Sequence, residues 1–259
     1  MTIRTAELSP ATTQIVKSTN QTSLGTAALT AAIGLLIMAI AAPFAELYVY
    51  PKLIVPGNAA ETVQNIMANR ALFTAGMFGY LIAFLCDVLV AWALYLLLKP
   101  VNENLSLLTA WFRLVYTVIA IMALLNLVTV LKLVDPTNPS LIAQPDLLQA
   151  QVMFSIQTFK SHWYFGLLFF GIHLGLLGYL VFVSKYIPRI LGVLLVIAGL
   201  GYILTTLKPY VFPNLNLDFA EYTFYGELIF MVWLLIRGPK IQGANEDDRK
   251  LFQTWPNQS

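Results

Sequence analysis

Asp87, Arg113, His173 and Glu227 are ionisable residues set deep inside long apolar stretches. A charged Asp or Arg at mid-bilayer costs about 2.5–3.5 kcal/mol by insertion scales, so such groups turn inward and take partners. Asp87 lies 12 residues before Lys99, His173 lies 12 before Lys185, and Glu227 lies 10 before Arg237. At about 1.5 Å per helical residue, all three sit roughly 15–18 Å from one side of the membrane. Arg113 enters its own stretch to about 13 Å. The spacing therefore predicts a buried polar cluster in one layer, with Asp87 and Arg113 as its ion pair. A guanidinium–carboxylate fork is the strongest neutralising pair for such a place. Glu46, Tyr80, Tyr116 and Tyr202 are secondary candidates.

Three kinds of chemistry suit these residues. Buried Asp, Glu, His and Arg serve proton relays and ion pathways. His173 or Glu227 can act as a base beside Asp87, as orienter or metal ligand, in a lipid-active enzyme. The Asp87–Arg113 pair can also simply clamp two helices in register. His162 and His173 are 11 residues apart, about 16 Å along a helix, so they cannot share a metal ion. Cys86 is the single cysteine, which excludes an intramolecular disulfide and a Cys/His zinc cluster. There is no Gly-x-Ser-x-Gly, no phosphate-binding glycine loop and no His-Glu-x-x-His. No metal and no cofactor are expected. His162, beside Trp163 and Tyr164, reads as part of an aromatic belt, and Glu46 as a contact to water or to the Tyr48–Lys52 segment.

The elements that must hold these groups are apolar helices. The 259 residues are 58% hydrophobic and 11% charged, with a mean hydropathy of +0.73. A soluble domain carries about 25% charged residues, so a water-soluble enzyme is excluded. A net charge of +2 is too small for nucleic-acid binding. About 20 apolar residues cross a bilayer. Six stretches qualify, at roughly Gly25–Ala45, Ala71–Leu98, Leu105–Leu131, His162–Val183, Ile190–Leu207 and Phe219–Ile236. The period-2 alternation of a membrane barrel is absent. The expected fold is thus an all-α integral membrane protein, a six-transmembrane-helix bundle with short amphipathic outer helices.

Helical periodicity gives each deep group an inward face. Gly76, Tyr80, Ala83, Asp87 and Ala91 form one stripe of small or polar residues; Ser106, Thr109, Arg113, Tyr116 and Thr117 form another. Gly171 and Gly175 have the small-xxx-small spacing that brings helices close. Outside the spans, Asn58 and Glu61 form a capping-box-like pair ahead of an amphipathic helix over Ala59–Asn69. Pro139–Lys160 carries an apolar stripe of Leu148, Val152, Ile156 and Phe159, either as a second outer helix or as an extension of the fourth span.

The organisation read from this is a polar cytoplasmic segment over 1–24, a six-helix domain over 25–237 and a polar cytoplasmic tail over 238–259. Arg4, Lys17, Lys99, Lys185, Arg189, Arg237, Lys240, Arg249 and Lys250 fall on one side; Lys52, Arg70, Lys132, Lys160 and Lys208 fall on the other. The excess places both termini in the cytoplasm.

Several runs occur together: Leu53-Ile54-Val55-Pro56-Gly57-Asn58, Asp87 ahead of Ala93–Asn102, Phe112-Arg113-Leu114-Val115, Phe169-Phe170-Gly171-Ile172-His173-Leu174, Tyr186-Ile187-Pro188-Arg189, and Gly226-Glu227. In that order the chain resembles the bacterial membrane family catalogued as domain of unknown function 4386, over about residues 25 to 240. The resemblance implies a multi-helix protein of the bacterial cytoplasmic (inner) membrane and brings no biochemical activity with it. The leading expectation is a non-catalytic bundle that binds membrane lipid, a partner or a second copy of itself. The alternatives are a small ion- or proton-coupled carrier or channel, and an intramembrane lipid-active enzyme. The substrate of either alternative is not written in the sequence.

Overall fold

A computed structural model describes residues 23–137, 143–211, 213–214, 216–217 and 222–241. Most of the 1–24 segment, the tail beyond Ile241, and the starts of the Pro139–Lys160 and Phe219–Ile236 stretches lie outside the described residues. The described residues are helical and contain no strand. In chain order the helices are α1 (Leu24–Leu53), α2 (Ala59–Ala68), α3 (Arg70–Leu98), α4 (Glu103–Leu133), α5 (Pro145–Val183), α6 (Arg189–Val211) and α7 (Tyr225–Arg237). A 3₁₀ turn, Gly238–Lys240, follows α7.

Five of these, α1, α3, α4, α5 and α6, are long and apolar enough to cross a membrane. The sixth expected span does not reach that length as a regular α-helix. Its α-helical part, α7, has 13 residues, about 20 Å at 1.5 Å per residue. Helical turns at Tyr222–Phe224 and Gly238–Lys240 flank it without a break.

Neighbour order closes a ring: α1 packs on α3, α3 on α4, α4 on α5, α5 on α6, α6 on α7, and α7 back on α1. Apolar side chains such as Leu29, Ile33, Phe78, Leu85, Trp111 and Val118 point outward. That inversion of the soluble pattern suits a lipid surround.

Local sequence explains the ends. Ser23 Oγ accepts the Thr26 amide and caps α1. Asn102 Oδ1 accepts the Leu105 amide and caps α4. Asn58 caps α2 through the Glu61 amide, and its own Nδ2 donates to Glu61 Oε2 at 2.8 Å. In α1, Pro43 supplies no amide hydrogen, and the helix widens into a π-helical turn over Phe44–Val49, with the Tyr50 amide reaching the Ala45 carbonyl. Gly57 turns the chain before α2 with φ of 77°, a conformation most side chains resist.

The Pro139–Lys160 stripe resolves as an extension. α5 runs unbroken for 39 residues, about 58 Å, and its outer part buries Leu148, Val152, Ile156 and Phe159. The amphipathic α2 lies against that outer part.

Candidate functional site

Helical register decides which side chains enter the ring. Gly76, Tyr80, Ala83, Asp87 and Ala91 of α3 are all buried, as are Ser106, Thr109, Arg113, Tyr116 and Thr117 of α4. Asp87, Arg113 and His173 are at most 1% exposed.

Arg113 is the hub. Its Nε donates to Asp87 Oδ1 at 2.8 Å, and its Nη2 stands 2.6 Å from the same oxygen. Nη1 lies 3.1 Å from His173 Nε2, and Nη2 also points at Met38 Sδ, 3.7 Å away on α1. The guanidinium packs over the Phe170 ring at 5.2 Å. Four helices thus meet on one side chain. Asp87 Oδ2 is buried and has no hydrogen-bond partner among the described residues.

The partners fix the histidine's chemistry. His173 Nδ1 lies 2.8 Å from the Thr109 carbonyl oxygen, which can only accept. Nδ1 therefore carries the hydrogen. Nε2 faces a guanidinium, which can only donate, so Nε2 offers its lone pair. His173 is held neutral as an acceptor for Arg113, and neither nitrogen is left for a base or a metal.

Glu227 stands apart from this contact. It and Arg113 border the same small cavity of about 10 Å³, closed by Leu35, Leu94, Leu174, Leu177, Leu195 and Phe230. That is room for about one water. Glu227 lies within electrostatic reach of the Tyr202 hydroxyl, Arg113 and Asp87. Of the four deep groups it alone is partly accessible.

The secondary candidates separate. Tyr116 accepts a hydrogen bond from Trp163 Nε1 at 3.0 Å and packs on Phe170. Tyr202 packs against Phe170 in an edge-to-face contact. Tyr80 lies nearer the outer end, where its hydroxyl donates to Glu46. Glu46 is partly exposed and acts on Tyr50 of the Tyr48–Lys52 segment, and its carboxyl also meets Tyr80 and, at 3.8 Å, Lys160 Nζ. The π-helical turn and the close approach of α1 to Gly76 and Gly79 of α3 bring Glu46 there. His162 is exposed on α5 beside Trp163 and Tyr164.

Met38, Phe170 and Lys160 complete these contacts and were not legible as site residues. Methionine and phenylalanine at helical spacing look like any core positions, and Lys160 looks like a loop cation. Among the described residues, no group of three or more His, Cys, Asp or Glu side chains could hold a metal ion.

Residues 30–238 match the family described as domain of unknown function (DUF4386). An uncharacterized protein of Archaeoglobus fulgidus is 37% identical over 163 residues, which span 63% of this chain and 83% of that protein. No solved structure matches the chain.

Proposed function

The chain belongs to the DUF4386 family, and on that premise we propose that it is a non-catalytic, multi-pass protein of the bacterial inner membrane that works by binding lipid or a partner. Its polar centre is a clamp, not a reaction site. α7 with its flanking turns serves as the sixth crossing and closes the ring with α1, and both termini face the cytoplasm.

One observation carries the reading: Arg113 spends its donors on Asp87 Oδ1, His173 Nε2 and Met38 Sδ, from three other helices. Asp87, Arg113 and His173, three of the four groups that a catalytic or transport reading would use, are occupied by one another. The space beside them holds about one water, while the larger grooves lie on outer faces, along α7 and between α2 and α5. Lipid and partners reach such faces directly.

The test is a double-mutant cycle on Asp87→Asn and Arg113→Gln, read as thermal stability in detergent. Removing one member of a buried pair strands the other charge, at about 3–5 kcal/mol. A clamp predicts unstable single variants and partial rescue in the double variant. Folded, fully stable single variants end the clamp reading.

A further inference from the structure

Two cations end the apolar face of α7. Tyr225, Leu228, Ile229, Val232, Trp233 and Ile236 line a groove of about 640 Å³ along this helix, and Arg237 closes one end of it. From Tyr225 to Arg237 the groove runs about 18 Å, close to the depth of one leaflet in a hydrocarbon core of about 30 Å. Lys240 follows about one turn beyond Arg237. Both cations are exposed, and neither pairs with a carboxylate among the described residues. Several other cations are engaged: Lys99 by Glu103, Arg70 by Asp135, Lys160 by Glu46, and Arg189 by the Phe182 ring.

The turn that carries Lys240 is fixed against α1. A Cβ on Gly238 would stand 2.9 Å from the Ala28 Cβ, and one on Gly25 would stand 2.8 Å from the Pro239 carbonyl oxygen. The backbone beneath the two charges is therefore set before any ligand arrives, which lowers the cost of binding.

We propose that this face of α7 binds one anionic phospholipid, with an acyl chain along the groove and the phosphate on Arg237 and Lys240. This gives the lipid-binding reading above a site and a ligand class, and it rests on that reading.

The groove by itself selects nothing, because lipid tails are as apolar as its walls. Selection comes from the cations. The Arg237 guanidinium can take phosphate oxygens as a planar fork, and the Lys240 ammonium adds a point charge. A zwitterionic lipid brings a phosphate whose charge its own ammonium cancels. An anionic lipid brings a net charge that these two cations complement. Such attraction is worth about fivefold in affinity per cation, so about 25-fold for the pair. The groove between α2 and α5 has no charged residue in its lining and offers no such preference.

Trp233 lies in the groove one turn before Arg237 and reports on it. Brominated lipids quench indole fluorescence by contact, so brominated phosphatidylglycerol (anionic) and brominated phosphatidylcholine (zwitterionic) are titrated separately into the full chain in detergent. The signal read is the quenching lost in Trp233→Phe. The expected result is half-quenching at about 25-fold less of the anionic lipid, a preference that shrinks as salt is added. Arg237→Gln with Lys240→Gln should bring the two curves together. Equal curves in the parent, or a preference that persists in the folded double variant, overturn the proposal. If the double variant does not fold, Lys240→Gln alone decides: its preference must fall about fivefold, and an unchanged one overturns the proposal. Inorganic phosphate, matched in ionic strength to a chloride control, should not displace the anionic lipid. Displacement beyond the control means that the cations take free phosphate, and the lipid site falls. The two readings fail differently. Equal quenching by both lipids removes the anionic site and leaves α7 facing lipid. No quenching of Trp233 by either lipid, in a protein that runs as a dimer, gives this face to a second copy and removes the lipid reading of it as well.

Discussion

Gly171 of α5 and Gly199 of α6 face each other so closely that a Cβ on Gly171 would stand 2.7 Å from the Gly199 carbonyl oxygen, and one on Gly199 would stand 2.6 Å from the Gly171 carbonyl oxygen. Gly178 and Gly192 repeat the arrangement one step along the same pair of helices. These glycines serve backbone contact between α5 and α6 and leave no room for a ligand there.

A methyl group at this seam pushes against backbone that cannot step aside, as well as against Ile203 and Val196. Gly171→Ala and Gly178→Ala should each destabilise the bundle by about 1–3 kcal/mol or more, read as a lower thermal midpoint in detergent. Gly175→Ala is the control on the same helix. A Cβ there meets nothing within 4 Å, so its midpoint should hold or rise slightly. Equal loss in all three variants would contradict the seam.

The Glu46–Tyr80 contact ties the widened turn of α1 to α3. Tyr80→Phe keeps the ring among Phe84, Phe159 and Trp163 and removes only the hydroxyl. A hydrogen bond to a charged group is worth about 1.5–3 kcal/mol; the partial exposure of Glu46 puts the loss at the low end. Glu46→Gln should lose less, since an amide oxygen still accepts. A Tyr80→Phe protein as stable as the parent would show that the bond carries no weight.

Asp135, just past α4, is held down at about 2 by the Thr137 backbone amide, then by the Thr137 hydroxyl and by Arg70. A depressed carboxyl stabilises the fold above the ordinary value of about 3.9, and that contribution fades as pH falls toward about 2. Thr137→Ala removes the hydroxyl bond alone. Carbon NMR of the Asp135 carboxyl should show its midpoint rising while staying below the ordinary value, because the amide and Arg70 remain. No movement would mean that the hydroxyl bond does not act.

The Asn58 cap satisfies the Glu61 amide at the start of α2. Asn58→Ala should weaken that end by about 1 kcal/mol, seen as faster hydrogen exchange at the Glu61 and Thr62 amides with the transmembrane amides unchanged. Unchanged exchange at Glu61 would remove the cap from the account.

Much of this was legible in the chain itself. The apolar runs announce α1, α3, α4, α5 and α6, and the Asn58–Glu61 pair announces α2, because spans and caps are written in contiguous residues. The sixth run was legible as apolar but not as a short α-helix with 3₁₀ ends. The Tyr80 and Lys160 contacts of Glu46 were not legible, since Tyr80 is 34 residues away and Lys160 sits on the far-extended α5. The tautomer of His173 was beyond reach as well, because it depends on a carbonyl 64 residues distant.

Sequence alone determined that this chain folds as long apolar helices fit to cross a membrane, and it placed Asp87, Arg113, His173 and Glu227 along them, because helical rise is fixed and residues can be counted. Which of them touch was decided only by tertiary structure. Contact depends on how each helix is rotated and how near its neighbour comes, and those follow from packing at Gly76, Gly79, Gly171 and Gly199. That packing gave Arg113 to Asp87 and His173, and left Glu227 on the wall of a cavity with room for about one water.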